Sequence, residues 1–281
     1  MPQPPLIMGI INRTPDSFYA ASRSNPDDLD VSDALELISQ GADILDIGGE
    51  SSRPGSEYVA AATEIDRVVP YIRLLRKHSA VPISVDTRKA EVADEAISAG
   101  ANIINDISAL RDDPDLALVA ARRKVPVVLM HMAGSPRTMQ NDPHYSDVVS
   151  EVEDFLLAAA QRALDAGISH ENIILDPGIG FGKTMEHNIA LVQALPRLRQ
   201  HGFRILLGIS RKLVLGMIAG SAQKPLPAEE RLAANIVANV IAAGLGADII
   251  RVHDVQAVRQ GLAAARAFCP DFGMQQGKVL V

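Results

Sequence analysis

One six-residue pattern occurs three times in this chain and restricts its fold more than any other feature. Gly41-Ala42-Asp43-Ile44-Leu45-Asp46 returns as Gly100-Ala101-Asn102-Ile103-Ile104-Asn105 and again as Gly246-Ala247-Asp248-Ile249-Ile250-Arg251. Each copy follows a stretch with helical spacing of its apolar residues, so the glycine reads as the residue that closes a helix. The apolar residues after it read as a short buried strand, and the last residue is a polar side chain at the strand's end. A helix-to-strand joint that repeats implies alternating helices and strands. Alternation in turn implies a parallel sheet, because parallel strands need a crossover to connect them.

Five more apolar runs bring the strand count to eight: residues 6–11 before Asn12, 81–85 before Asp86, 125–130 before His131, 173–175 before Asp176, and 204–207 ahead of Gly208, Ser210 and Lys212. Helical spacing covers residues 31–40, 61–77, 90–99, 114–123, 147–166, 187–199, 229–245 and 255–268. Eight strands alternating with eight helices predict an α/β fold, a single-domain (β/α)8 TIM barrel over residues 1–281, near the roughly 250 residues typical of that fold. An open doubly wound sheet is the runner-up, but Asn12-Arg13-Thr14-Pro15 stands where it needs a glycine-rich loop. No linker or low-complexity tract divides the chain, and the segment after Cys269 lies outside the repeat.

Charge and cysteine usage narrow the function. A net charge of −7 argues against nucleic acid and anionic membranes as partners. Cys269 is the only cysteine, which excludes an intramolecular disulfide and a cysteine metal cage and fits a reducing, cytoplasmic setting. The first apolar run is broken by Asn12 and Arg13, and no run approaches the 18 apolar residues of a membrane span.

All strand C-termini of a (β/α)8 barrel face one mouth. The residues expected there are Asn12, Asp46, Asp86, Asn105, His131, Asp176, Lys212 and Arg251. Asp86, Asn105 and Asp176 suit a flat heterocycle carrying N–H and amino groups. Arg53, Lys212, Arg251 and His253 form a cationic set in an acidic chain, as a phosphate site requires. The loop Ser51-Ser52-Arg53-Pro54-Gly55 adds hydroxyls suited to phosphate oxygens. His131 reads as a packed, hydrogen-bonded histidine, since no second His or Cys stands at a zinc-ligand spacing.

The sixth strand runs into Asp176-Pro177-Gly178-Ile179-Gly180-Phe181-Gly182-Lys183. The alternate glycines allow unusual backbone angles and close approach of a ligand. Pro177 stands where a Walker A loop needs its first glycine, and Lys183 where the dinucleotide fingerprint needs its last, so neither motif is present.

With these motifs in order, the chain resembles the dihydropteroate synthases, a folate-pathway family of (β/α)8 barrels. The resemblance runs through residues 8–12, Thr14-Pro15-Asp16-Ser17-Phe18, residues 46–55, Ser84-Val85-Asp86-Thr87, Asn105-Asp106-Ile107, Met130-His131-Met132, residues 176–183, Ser210-Arg211-Lys212 and Arg251-Val252-His253. It implies that Asp86, Asn105, Asp176 and Lys212 hold a pterin ring in a pocket lined by Ile107, Met130 and Phe181. It implies that Asn12, Ser52, Arg53, Arg251 and His253 hold a diphosphate, with Ser210 also on the substrate side and Asn12 touching Mg2+. Phe18 and Pro54 then form the p-aminobenzoate side. The implied reaction joins p-aminobenzoate to (7,8-dihydropterin-6-yl)methyl diphosphate and releases diphosphate, with Asp86, Asp176 and Lys212 as the catalytic set. The family also implies a homodimer packed through barrel helices.

The chain departs from the family pattern in three places. Tyr19-Ala20-Ala21-Ser22 replaces the usual Ser-Asp-Gly-Gly course after Phe18, Arg13 replaces a small apolar residue, and Ser52 stands for Thr. Loss of the glycine pair leads us to expect a raised Michaelis constant for p-aminobenzoate. A methyltetrahydrofolate-type methyltransferase, which needs no diphosphate grip, and a catalytically impaired paralogue are the alternatives.

Overall fold

The computed structural model describes residues 4–14, 29–269 and 272. Its strands are β1 (Leu6–Asn12), β2 (Ile44–Gly48), β3 (Ile83–Asp86), β4 (Ile103–Asp106), β5 (Val127–Met130), β6 (Ile173–Asp176), β7 (Arg204–Leu207) and β8 (Ile249–Val252). They pair in chain order, all parallel, and β8 closes on β1, making the barrel expected from the alternation. Outside it lie α1 (Ser32–Ser39), α2 (Ala61–Arg76), α3 (Ala90–Ser98), α4 (Asp115–Arg123), α5 (Val148–Asp165), α6 (Met185–Gln193), α7 (Leu195–Arg199), α8 (Leu213–Ala219), α9 (Leu232–Leu245) and α10 (Val255–Phe268).

Proline accounts for most differences from the expected elements. The runs at 81–85 and 125–130 form strands only from Ile83 and Val127, because Pro82 and Pro126 have no N–H for the ladder and contribute only their carbonyls, to Leu45 N and Ile104 N. The helix expected over 187–199 divides at Ala194, with Pro196 in the first turn of α7. The helix expected from 229 starts at Leu232, after a 3₁₀ turn at Ala228–Glu230. Helix α8 was not foreseen, since its seven residues, Leu-Val-Leu-Gly-Met-Ile-Ala, show no polar face to set a period.

The threefold joint has one structure in all copies. Gly41, Gly100 and Gly246 have φ of +100°, +118° and +118°, a conformation open to glycine at a helix end. The third residue of each copy caps the start of the preceding strand: Asp43 accepts from Ile7 N at 2.8 Å, Asn102 from Ile83 N at 3.0 Å and Asp248 from Ile205 N at 2.8 Å. An arginine closes each joint by donating to the glycine carbonyl and to that third side chain; these are Arg259, Arg76 and Arg199. Arg76 and Arg199 come from the helix leading into the capped strand, and Arg259 comes from α10, the last helix, beside β1. These clasps lie at the strand N-termini, the face of such a barrel that serves stability.

Side chains alternate along each strand. Ile7, Leu45, Val85, Ile104, Leu129, Leu175, Leu207 and Ile250 face the helices in one large core. Met8, Ile44, Ile103, Val128, Ile174, Leu206 and Ile249 form a separate apolar cluster, a plug that fills the barrel interior.

Candidate functional site

One pleat beyond the plug, toward the strand C-termini, the inward side chains turn polar. Ile44 is followed two residues on by Asp46, Ile103 by Asn105, Ile174 by Asp176 and Ile249 by Arg251. Because side chains alternate with period two, these polar residues share the plug's side of the sheet. Asp46, Asn105 and Arg251 therefore lie within β2, β4 and β8 rather than at their ends, which corrects the expected placement. His131 follows inward-facing Met130 by one residue and so takes the other face. It packs edge-on against Phe155 at 4.8 Å, as the packed-histidine reading expects. Lys212 follows β7 by five residues, as the N-cap residue of α8.

The polar layer is wired together. Arg251 Nε donates to Asp46 Oδ2 at 2.6 Å and its Nη2 to Asp86 Oδ2 at 3.0 Å. Asn105 Nδ2 donates to the same Asp46 oxygen at 3.0 Å. Asp46 is wholly buried and its Oδ1 lacks a partner. Burial, together with the neighbouring Asp46 charge, pushes the Asp86 carboxyl up to about 7, and Arg251 opposes this only in part. Burial also raises Asp176, against the pull of Lys212 and of Gly178 N, which donates to Asp176 Oδ1 at 2.7 Å. Lys212 donates to Ile179 O and sits 4.4 Å over the Phe181 ring. Burial lowers its pKa to about 7. Asp86 and Lys212, both near 7, and Asp176, raised by burial, thus converge on one space.

The walls of that space are apolar. Ile107, Met130 and Phe181, expected to line it, form one small cluster with Met132 and Met139. At the mouth, Ser52 borders a small cavity with Asp86, Thr87, Ile107 and Pro136. Asn12 and His253 border one cleft of about 670 Å³ that runs outward between α1 and α10. Ser210 Oγ lies 3.1 Å from His253 Nδ1 and accepts from His253 N at 3.1 Å, so this hydroxyl fixes the histidine. Arg53 and Pro54 are exposed on their loop, and Gly55 N ties that loop to Pro136 O at 3.1 Å. Phe18 and the unusual Tyr19-Ala20-Ala21 segment lie outside the described residues.

In the loop after β6, Gly178, Gly180 and Gly182 have φ of +68°, +81° and +67°. The close approach they allow is to the protein itself. A Cβ on Gly178 would fall 1.9 Å from His131 O, and one on Gly182 would fall 2.6 Å from the Ala133 Cβ. The loop is thereby pressed onto the segment after β5, which fixes Phe181.

Sequence reasoning missed two contributors. Asp46 carried no assigned role, although its place as sixth residue of the repeated pattern, matching Asn105 and Arg251, was a sufficient signal. The second is a buried ion network behind the second and third loops, for which spacing offered no sign. Lys89 joins Glu50 to the buried Glu64, and Arg88 joins Glu50 to Asp112. Glu50 and Glu64 add to the negative field that raises Asp86.

Comparison with known proteins agrees with this geometry. The model of the pterin binding enzyme family matches residues 8–253. The dihydropteroate synthase of Synechocystis is 44% identical over 254 residues, covering 90% of this chain and 86% of that protein. The Escherichia coli enzyme is 41% identical over 263 residues, covering 94% and 91%. Among solved structures, Xanthomonas albilineans dihydropteroate synthase with 4-aminobenzoic acid superposes with a TM-score of 0.86 at 43% identity, covering 94% of this chain and 93% of that one. The Yersinia pestis enzyme in a sulfonamide drug complex gives 0.86 at 40% identity, covering 94% of each chain.

Proposed function

The chain belongs to the pterin-binding enzyme family, as a dihydropteroate synthase, and from that premise we propose how its residues divide the reaction. The observation that carries the division is the inward polar layer of Asp86, Asn105, Asp176 and Arg251 beside the cluster of Ile107, Met130 and Phe181. The cluster takes the flat faces of the pterin, while Asp86, Asn105, Asp176 and Lys212 meet its edge. Asn12, Ser52, Arg53 and His253 at the mouth receive the diphosphate. Arg251 stands between the two groups, with its guanidinium committed to the carboxylates of the ring side. Pro54 borders the p-aminobenzoate side, to which the resemblance also assigns Phe18, outside the described residues.

In the reaction the C–O bond to the diphosphate breaks, the aniline nitrogen forms the new C–N bond, and that nitrogen releases one proton. Ionised Asp86 and Asp176 offset positive charge developing on the pterin as the anion departs. At the mouth Arg53 gives the leaving diphosphate its positive charge. His253, expected among the cations, is held neutral by burial, which lowers its pKa to about 4, and serves as a hydrogen-bond donor. No side chain forms a covalent intermediate.

Mg2+ fits the donors present. Among the described residues no cluster of three or more His, Cys, Asp or Glu forms a metal cage, and Asn12 offers a side-chain oxygen at the mouth. A magnesium ion characteristically keeps water and substrate phosphate oxygens and needs few protein ligands. When bound, it would neutralise the leaving diphosphate.

We further assign a cytoplasmic homodimer. Val237 and Ile241, one helical turn apart on α9, are 58% and 51% exposed, and Leu213 and Ile218 on α8 are exposed as well. An apolar face of this kind suits an isologous contact with a second copy. The Yersinia pestis relative is crystallised in a sulfonamide drug complex, and such drugs should bind this chain too, where we expect them to compete for the p-aminobenzoate side.

Asp176→Asn tests the ring assignment. The loss of one charged hydrogen bond should weaken a dihydropterin by about 1.5–3 kcal/mol in calorimetry. Full affinity in the folded variant would remove Asp176 from the pocket.

A further inference from the structure

Lys183 closes the glycine loop and has no part in the roles above. Its ammonium is buried, with the residue 5% exposed, and its three nearest partners include no carboxylate. They are His131 Nδ1 at 2.9 Å, Gly178 O at 2.9 Å and Phe181 O at 3.0 Å. An ammonium has three hydrogens, and here each meets an acceptor. His131 Nδ1 accepts only if the imidazole is neutral and carries its proton on Nε2. Burial and the adjacent Lys183 charge enforce that state by holding its pKa far below the ordinary value. With its donors satisfied by the protein, Lys183 has none left for a substrate.

What it holds is a loop with no strand partner. Five successive carbonyls, from Gly178 to Gly182, each accept from a side chain. Lys183 serves Gly178 and Phe181, Lys212 serves Ile179, Gln140 Nε2 serves Gly180 at 2.7 Å, and Tyr145 Oη serves Gly182 at 2.9 Å. Buried carbonyls without donors are costly, so these side chains do the work that a sheet neighbour does elsewhere. Lys183 holds the two carbonyls that bracket the turn carrying Phe181. The same turn supplies Gly178 N to Asp176 Oδ1. It also places the Phe181 ring under the Lys212 ammonium.

We propose that Lys183, seated on His131, is a positioning residue for the pterin site: it sets the Gly178–Gly182 loop so that Asp176 and Phe181 face the ring, and it touches no substrate itself. The inference rests on the pterin reading of the site. Both follow from the same pocket, but only this one needs the Lys183–His131 contact.

Lys183→Met keeps the length of the side chain and removes the ammonium. In steady-state kinetics with both substrates varied, the Michaelis constant for the pterin diphosphate should rise about tenfold or more while that for p-aminobenzoate stays within about twofold. The dissociation constant of a dihydropterin lacking diphosphate should rise in parallel. A second pair of variants leaves Lys183 in place. His131→Asn retains an oxygen acceptor near the Nδ1 position and should bind the dihydropterin within about threefold of the unaltered chain, whereas His131→Leu should lose about tenfold. This pair decides the matter if Lys183→Met does not fold. Unchanged pterin constants in Lys183→Met, equal losses for both substrates, or indistinguishable His131 variants would each overturn the proposal. An unaltered chain that forms no dihydropteroate refutes the pterin reading instead.

Discussion

At the scale of single residues, the site is governed by how few charges are compensated inside the barrel. Arg251 is shared between Asp46 and Asp86, residues 205 and 165 positions away in the chain. Burial, with one cation shared between two carboxylates, brings the Asp86 carboxyl into the range near neutrality where Lys212 also titrates. This has a measurable consequence. The free-enzyme carboxyl of Asp86 has its pKa raised to about 7, and the pterin's donors favour its ionised form, so affinity is present above pH 7 and lost as pH falls through it. The dissociation constant of a dihydropterin, followed by calorimetry from pH 5.5 to pH 8, should rise about tenfold per unit below pH 7 in the unaltered chain. In Asp86→Asn it should be weak and lose this tenfold rise, leaving only the titration of Lys212, whose pKa burial lowers to about 7. A pH-independent constant in the unaltered chain would mean that Asp86 does not bind as the anion. The acidic and cationic residue types were legible in the sequence. Their pairing was not, because long-range contacts leave no trace in local spacing.

At the scale of elements, the repeated joint both disclosed the fold and explains itself in the structure. Its glycine and apolar residues predicted helix ends and strands, and its third residue proved to be the acceptor that anchors the preceding strand. The arginine that completes each joint was invisible, since it lies on another helix. Asn102→Ala leaves Ile83 N and Arg76 without this acceptor, which should cost about 1–3 kcal/mol, read as a lowered unfolding midpoint with turnover at low temperature unchanged. An unchanged midpoint would make the joint a passive spacer. The glycine loop shows the opposite limit of sequence reading. Its conformations were foreseen, but its close contact with His131 was not. Helix α8 and the late starts of β3 and β5 were missed for local reasons, an unpatterned apolar run and prolines inside apolar runs.

At the scale of the whole molecule, the barrel is organised as a stability end and a chemical end separated by the apolar plug. The arginine clasps occupy the first, and the polar layer and mouth residues the second. The outer surface adds one more commitment, the exposed apolar residues of α8 and α9. Ile241→Glu places a charge on that face and should convert a dimer to monomers in sedimentation velocity; an unshifted dimer would move the interface elsewhere.

The most direct measurement of the central assignment is turnover by the purified chain supplied with p-aminobenzoate, (7,8-dihydropterin-6-yl)methyl diphosphate and Mg2+, with both products quantified. Dihydropteroate and diphosphate should form in equal amounts, only when both substrates are present, and Asp86→Asn and Asp176→Asn should each abolish nearly all of it. Absence of dihydropteroate from the unaltered chain, or undiminished formation in both aspartate variants, would contradict a synthase whose chemistry resides in the inward polar layer.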